Sequence, residues 1–165
     1  MEGSQLYIGT PNGVVICIDE AGDGDFGGRL YHKYSREPIP FRGMGGMIHY
    51  MENLFDELDF PHVATNMRTF AEEGSRRRSG RREEKEKVMS DHELLSQHGY
   101  QETFIVRVQH RQNSTWQGRI TWADQDKTLT FRSIWEMIHL MESAMTADGS
   151  PEEFSDPEPW KDTDA

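Results

Sequence analysis

Apolar positions fall into two series of the same form. "VVICI" (14–18) and "FIVRV" (104–108) are short β-branched runs of the kind that build strands. In the second run Ile105, Arg107 and Gln109 alternate with Val106 and Val108, the period of a half-buried strand. A turn follows each run. The first, "EAGDGDFGG", is rich in Gly and Asp, and the second, "HRQNSTWQG", offers Asn113 and Ser114, so both predict hairpins. Further turns at "SREP" and "ADQDK" lead to "IPF" and "LTF", which complete a three-stranded meander in each half. The pattern then becomes helical. Met44, Ile48, Met51, Phe55 and Leu58 share one face, and Ile134, Ile138, Met141 and Met145 share one face of a second helix.

The two helix starts differ. Ser133 followed by Glu136 is a capping box, in which the serine oxygen accepts from the amide three residues on and the glutamate reaches back to the Ser133 amide. Gly43 and Gly46 hold the matching places in the first helix, which is expected to be looser because a glycine inside a helix costs about 1 kcal/mol. This likeness extends to residue identity. Without a gap, "FGGRLYHKYSREPIPFRGMGGMIHYME" (26–52) lies over "WQGRITWADQDKTLTFRSIWEMIHLME" (116–142), ninety residues on, with nine identities against about two from average residue usage. They include Gly28 and Gly118, Arg29 and Arg119, Phe41 and Phe131, and Arg42 and Arg132. A duplication follows as the expectation.

Composition separates these units. "EEGSRRRSGRREEKEK" (72–87) has no apolar residue and cannot offset its ordering entropy by burial, so it reads as a flexible linker with a short helix starting nearby. The end of the chain, 147–165, carries seven acidic residues, one basic residue and three prolines, and is expected to be disordered. The predicted fold class is therefore α+β: two tandem β-β-(β)-α repeats related by a pseudo-twofold axis, antiparallel sheet(s) covered by one helix per repeat. Residues 1–70 form the first repeat, 71–90 the linker, 91–146 the second repeat and 147–165 the acidic tail. One small meander with one helix buries little area, so the units should share a core, either within one chain or in a swapped homodimer.

A net charge of -11 repels phosphate backbones and anionic membranes at long range, so nucleic acid is not the expected partner and no membrane association is expected. The cluster "RRRSGRR" (76–82) is the one basic exception, and flanking glutamates cancel most of its field. No apolar run approaches the roughly 20 residues that span a bilayer, and "MEGSQLYIGT" lacks the basic start and apolar core of a signal peptide. The single cysteine, Cys17, suits a reducing cytoplasm, so the expected location is cytoplasmic.

Candidate chemistry is sparse. "FRGMGGM" (41–47) stands where a helix N-terminus could hold phosphate, yet it lacks the third glycine of a dinucleotide loop and the Walker lysine. "DEAGDGDFGGRL" (19–30) has calcium-loop carboxylates but Ala21 and Leu30 at two ligand places, and a hairpin turn is the better reading. Glu136 and His139 form an E-x-x-H step without facing carboxylates, and a solvated helix flank accounts for them. The same holds for Asp91, His92 and His98, placed near a helix start. No nucleophile with a base is present in a known pattern, so no enzyme activity, cofactor or metal is expected. Arg29 and Arg119 are expected to pair with carboxylates such as Glu52 and Glu142, while Arg42 and Arg132, unfavourably placed for the helix dipole, must find partners or face outward.

Trp-Gln-Gly at 116–118, Trp122, Phe131-Arg132-Ser133 and Glu136-Met137-Ile138 resemble a pattern in short bacterial proteins of no known activity. The resemblance covers residues 103–145 and implies a bacterial origin. The expected function is a non-enzymatic protein-binding or regulatory protein that engages another protein through exposed aromatic and strand-edge surface. Trp116, Trp122, Trp135, Arg132 and Arg42 are the partner-binding candidates, with core packing as the competing role for the tryptophans. The alternative is an acidic inhibitor that mimics nucleic acid to block a nucleic-acid-processing enzyme.

Overall fold

The computed structural model describes residues 8–64, 67–70 and 85–146. The arginine cluster and the acidic tail lie outside the described residues. The fold is α+β. Strands β1 (Val14–Gly22), β2 (Asp25–Tyr31) and β3 (Ile39–Arg42) precede helix α1 (Met44–Leu58). Helix α2 (Asp91–Leu95) opens the second half, followed by β4 (Glu102–His110), β5 (Gln117–Trp122), β6 (Lys127–Phe131) and α3 (Ile134–Thr146).

The six strands form one antiparallel sheet in the order β3-β2-β1-β4-β5-β6. Its centre is the β1–β4 ladder, where Val15 pairs with Ile105. Asp23 and Gly24, with φ of 54° and 75°, close the β1–β2 hairpin, the left-handed pair that matches the twist of the flanking strands. The acidic loop is thus a turn. Both hairpins carry a register irregularity, between Ile18 and Glu20 and between Val108 and His110. Next to each stands a glycine under close approach. A Cβ on Gly28 would lie 1.8 Å from the Cys17 carbonyl oxygen, and one on Gly118 would lie 2.1 Å from that of Arg107.

One face of the sheet is covered by α1 and α3, over Val14, Ile16 and Ile18 of β1 and Phe104, Val106 and Val108 of β4. The buried helix positions are Met47, Met51, Leu54, Phe55 and Leu58 in α1, and Met137, Ile138, Met141 and Ala144 in α3. This corrects the expected stripes. Met44, Ile48, Ile134 and Met145 are only partly buried, because the buried arc is rotated toward Met47 and Met137 and is wider than a single i, i+4 row.

The opposite face is also covered. Ile8, Val15, Cys17, Tyr31 and Ile105 pack with Met89 and Leu94, and Val88 and Leu95 join them. Residues 85–95 thus supply a second layer, pinned where the Val88 and Met89 amides both donate to the Lys33 carbonyl at 2.7 and 3.0 Å. Ser90 caps α2 by accepting from the Glu93 amide at 3.2 Å. Hence the half-buried reading of β4 fails: Glu102 to Val108 are all buried. Alternation reports one wet face, and here neither central face is wet. The Cys17 thiol is sealed in this layer, and its burial pushes its pKa to about 11, so it is unreactive.

Helix starts are capped from the neighbouring hairpin as well as locally. Asp25 Oδ1 accepts from the Met44 amide at 2.7 Å, and Thr115 Oγ1 accepts from the Ile134 amide at 2.9 Å. The first contact offsets the absent side-chain cap at Gly43, whose φ is 89°. Ser133 accepts from the Glu136 amide at 3.0 Å as anticipated. Glu136 itself reaches the Arg132 amide instead of that of Ser133, at 2.9 Å, because its carboxylate also holds the Arg132 guanidinium.

Candidate protein-binding site

The tryptophans divide by burial. Trp116 is 1% exposed, its ring meets Phe55 edge-on at 5.3 Å, and its Nε1 donates to Glu52 Oε2 at 2.6 Å. It is a core residue and offers no surface to a partner. Trp122 is half-buried and donates to Glu102 Oε2 at 2.7 Å, which satisfies a carboxylate at the sheet interior. Trp135 is 74% exposed on the first turn of α3.

Around Trp116 the chain builds a clamp. Arg111, 3% exposed at the end of the β4 segment, donates from Nε to the Pro61 carbonyl at 2.7 Å and from Nη1 to Asp56 at 2.7 Å and Glu52 at 3.2 Å. Glu52 therefore joins a guanidinium and an indole. The segment after α1 folds back over this group, with Val63 bridged to Arg111 and the Ala64 amide donating to the Arg111 carbonyl at 3.3 Å. The expected pairing of Arg29 with Glu52 is thereby corrected. Arg29 instead grips Asp19 through Nε at 2.8 Å and Nη2 at 3.1 Å, and also donates to Tyr31 and to the His98 carbonyl. That contact lowers the Asp19 pKa.

The clamp leaves an apolar pocket of about 100 Å³. Ile48 of α1, Ile134 of α3, Val63, Met67 and the Trp116 ring line it, and Glu52 and Arg111 give it a polar rim. Met67 is 60% exposed, and Trp135 follows Ile134 directly. The exposed Met67 side chain borders the pocket, and Trp135, next in sequence to a lining residue, is not itself part of the lining.

The two arginine candidates lie elsewhere. Arg132 is exposed and pairs with Glu136 one turn on, through Nη2 to Oε2 at 2.9 Å, which lowers the Glu136 pKa. Arg42 is exposed on β3 and lines a larger cavity of about 460 Å³ that also meets Glu20, Asp23 and Asp25. The helix start there, considered for phosphate, is already taken by the Asp25 carboxylate. Among the described residues, no cluster of three or more His, Cys, Asp or Glu is arranged to hold a metal ion, and no helix is long and apolar enough to cross a membrane.

Arg111 escaped the sequence reading, and Glu52 was expected to hold Arg29 instead. A sequence signal was slight: ninety residues before Arg111 stands the uncharged Ala21. No family model matches this chain, and no curated protein and no solved structure matches it.

Proposed function

We propose that this chain is a non-enzymatic protein-binding or regulatory protein of a bacterial cell, and that it seats an apolar side chain of its partner between Ile48 of α1 and Ile134 of α3. The observation that carries this reading is Trp135, 74% exposed beside a pocket-lining isoleucine. Tryptophan is enriched among the residues that dominate interface energies, and this one is far more exposed than Trp116 or Trp122. The test is partner capture from the native host by the wild type and by Trp135→Ala side by side. Loss of captured protein with Trp135→Ala, at unchanged folding, supports the reading; an unchanged captured set contradicts it.

The frame behind the site is read as a duplication whose pseudo-twofold axis passes between Val15 and Ile105. A ninety-residue step carries Val15 onto its own ladder partner, the first strand irregularity onto the second, and the crowded Gly28 onto the crowded Gly118. It also carries the Asp25–Met44 cap onto the Thr115–Ile134 cap. Such coincidences in register and in crowding support common descent of the halves.

A second reading, an acidic inhibitor occupying a nucleic-acid groove, draws on the net charge of -11 and on the three carboxylates around the Arg42 cavity. Complexes of that kind weaken steeply with salt. Partner binding that is insensitive to salt and lost in Trp135→Ala selects the first reading over this one.

A further inference from the structure

The sheet ends in two rims, and the chain treats them differently. At β3 the rim is "PIP", residues 38–40, where Pro40 stands opposite Arg29 of β2. A proline has no amide hydrogen, so it fits in a ladder only where that amide would point away from the neighbour, and it denies the rim to any added strand. Ninety residues on, the same places in β6 are Thr128, Leu129 and Thr130. Thr130 pairs with Arg119 of β5 as Pro40 pairs with Arg29. The amides of Thr130 and Thr128 therefore point outward from the sheet, and they are present.

Nothing described covers this rim. Lys127 to Thr130 are all exposed, Leu129 by 57%, and no described strand pairs beyond β6. The Thr128 hydroxyl is engaged with that of Thr121 at 2.8 Å, which ties the strand to β5. An exposed, proline-free rim is a template for another strand.

We infer that β6 pairs antiparallel with β6 of a second copy of this chain, about a twofold axis at Leu129. The strand is self-complementary about that residue. Thr128 then faces Thr130 of the second copy and Thr130 faces its Thr128, with four backbone hydrogen bonds between outward amides and carbonyls. Leu129 meets Leu129 at the narrow, non-hydrogen-bonded position, and Lys127 faces Phe131, so no like charges stand opposite one another. Five residues of rim bury less than the ~1,200 Å² of a stable interface, so the dimer is weak, with a dissociation constant of about 10 µM to 1 mM. Because each copy carries -11, screening by salt strengthens it.

Sedimentation equilibrium of the full chain from about 10 µM to about 1 mM tests this. The average mass should rise from 19.1 kDa toward twice that value, and more readily in added salt. Thr130→Pro, which copies the β3 rim, should weaken association at least about tenfold with the circular dichroism and thermal midpoint unchanged. Leu129→Lys, which leaves the backbone intact, should do the same and carries the test if the proline variant fails to fold. A wild type that stays at 19.1 kDa overturns the inference and leaves the rim to a different strand. So does a mass that climbs past the dimer, or folded variants that associate as tightly as the wild type.

Discussion

The indole of Trp116 donates to the Glu52 carboxylate across 64 residues of sequence, at 2.6 Å. This contact ties the β4–β5 hairpin to the middle of α1, and the guanidinium of Arg111 completes it from the other side. Substitutions should reveal the layout. Trp116→Phe keeps the ring packing on Phe55 but strands half the carboxylate, at a cost of about 1–2 kcal/mol. Arg111→Met removes every tie to Pro61, Asp56 and Glu52 and should cost about 2–3 kcal/mol, discounted for the partly exposed carboxylates. Urea denaturation of the two variants checks both values.

Gly28 and Gly118 provide a second test, because each would drive a Cβ into a backbone carbonyl of the neighbouring strand. Gly28→Ala and Gly118→Ala should each lower stability by about 2–4 kcal/mol, and by similar amounts. Equal losses in chemical denaturation agree with two equivalent hairpins. A tolerated alanine at either position would show that the hairpins are not equivalent.

Acid should loosen the fold through His32. Its imidazole is buried, its Nδ1 accepts from the Tyr34 amide at 3.0 Å, and burial, aided by the charge of Lys85, brings its pKa down to about 4 from 6.5. The unfolded chain binds a proton near 6.5 while the folded one does not until about 4. Stability is therefore full above pH 6.5 and falls as pH drops from there toward 4, by about 2–3 kcal/mol. Asp19, whose pKa is lowered by Arg29, loses stability in the same direction as it protonates. Thermal midpoints measured across this range should decline, and His32→Asn, which keeps an acceptor for Tyr34, should flatten the slope.

Local pattern carried the strands, both hairpins and both long helices, since Val14 to Ile18, the Asp23-Gly24 turn and the Ser133 cap are written within a few residues of where they act. What escaped was non-local. Alternation in Ile105 to Gln109 suggested a wet face, and only the docking of Met89, from the stretch read as linker, and of Leu94 just after it dries it. The Arg111 clamp spans more than fifty residues and leaves no periodic trace. For the candidate site, the sequence narrowed attention to three tryptophans but could not sort them. Burial does so: Trp116 in the core, Trp122 on Glu102, Trp135 in solvent.

Trp135→Ala should accordingly leave stability within about 0.5 kcal/mol of the wild type, as an exposed helix position does, whereas Trp116→Ala should cost about 3–5 kcal/mol. Thermal unfolding of the pair gives a direct comparison, and a large loss at Trp135 would assign it to packing.

As proposed, Trp135 on the first turn of α3 takes part in holding a protein partner. Quantitative mass spectrometry of proteins captured from the native host by the wild type and by folded Trp135→Ala tests it most directly. At least one protein held by the wild type should fall by about thirtyfold in the variant, the loss of an interface residue worth about 2 kcal/mol. Identical capture by the two proteins would rule out a binding role for Trp135.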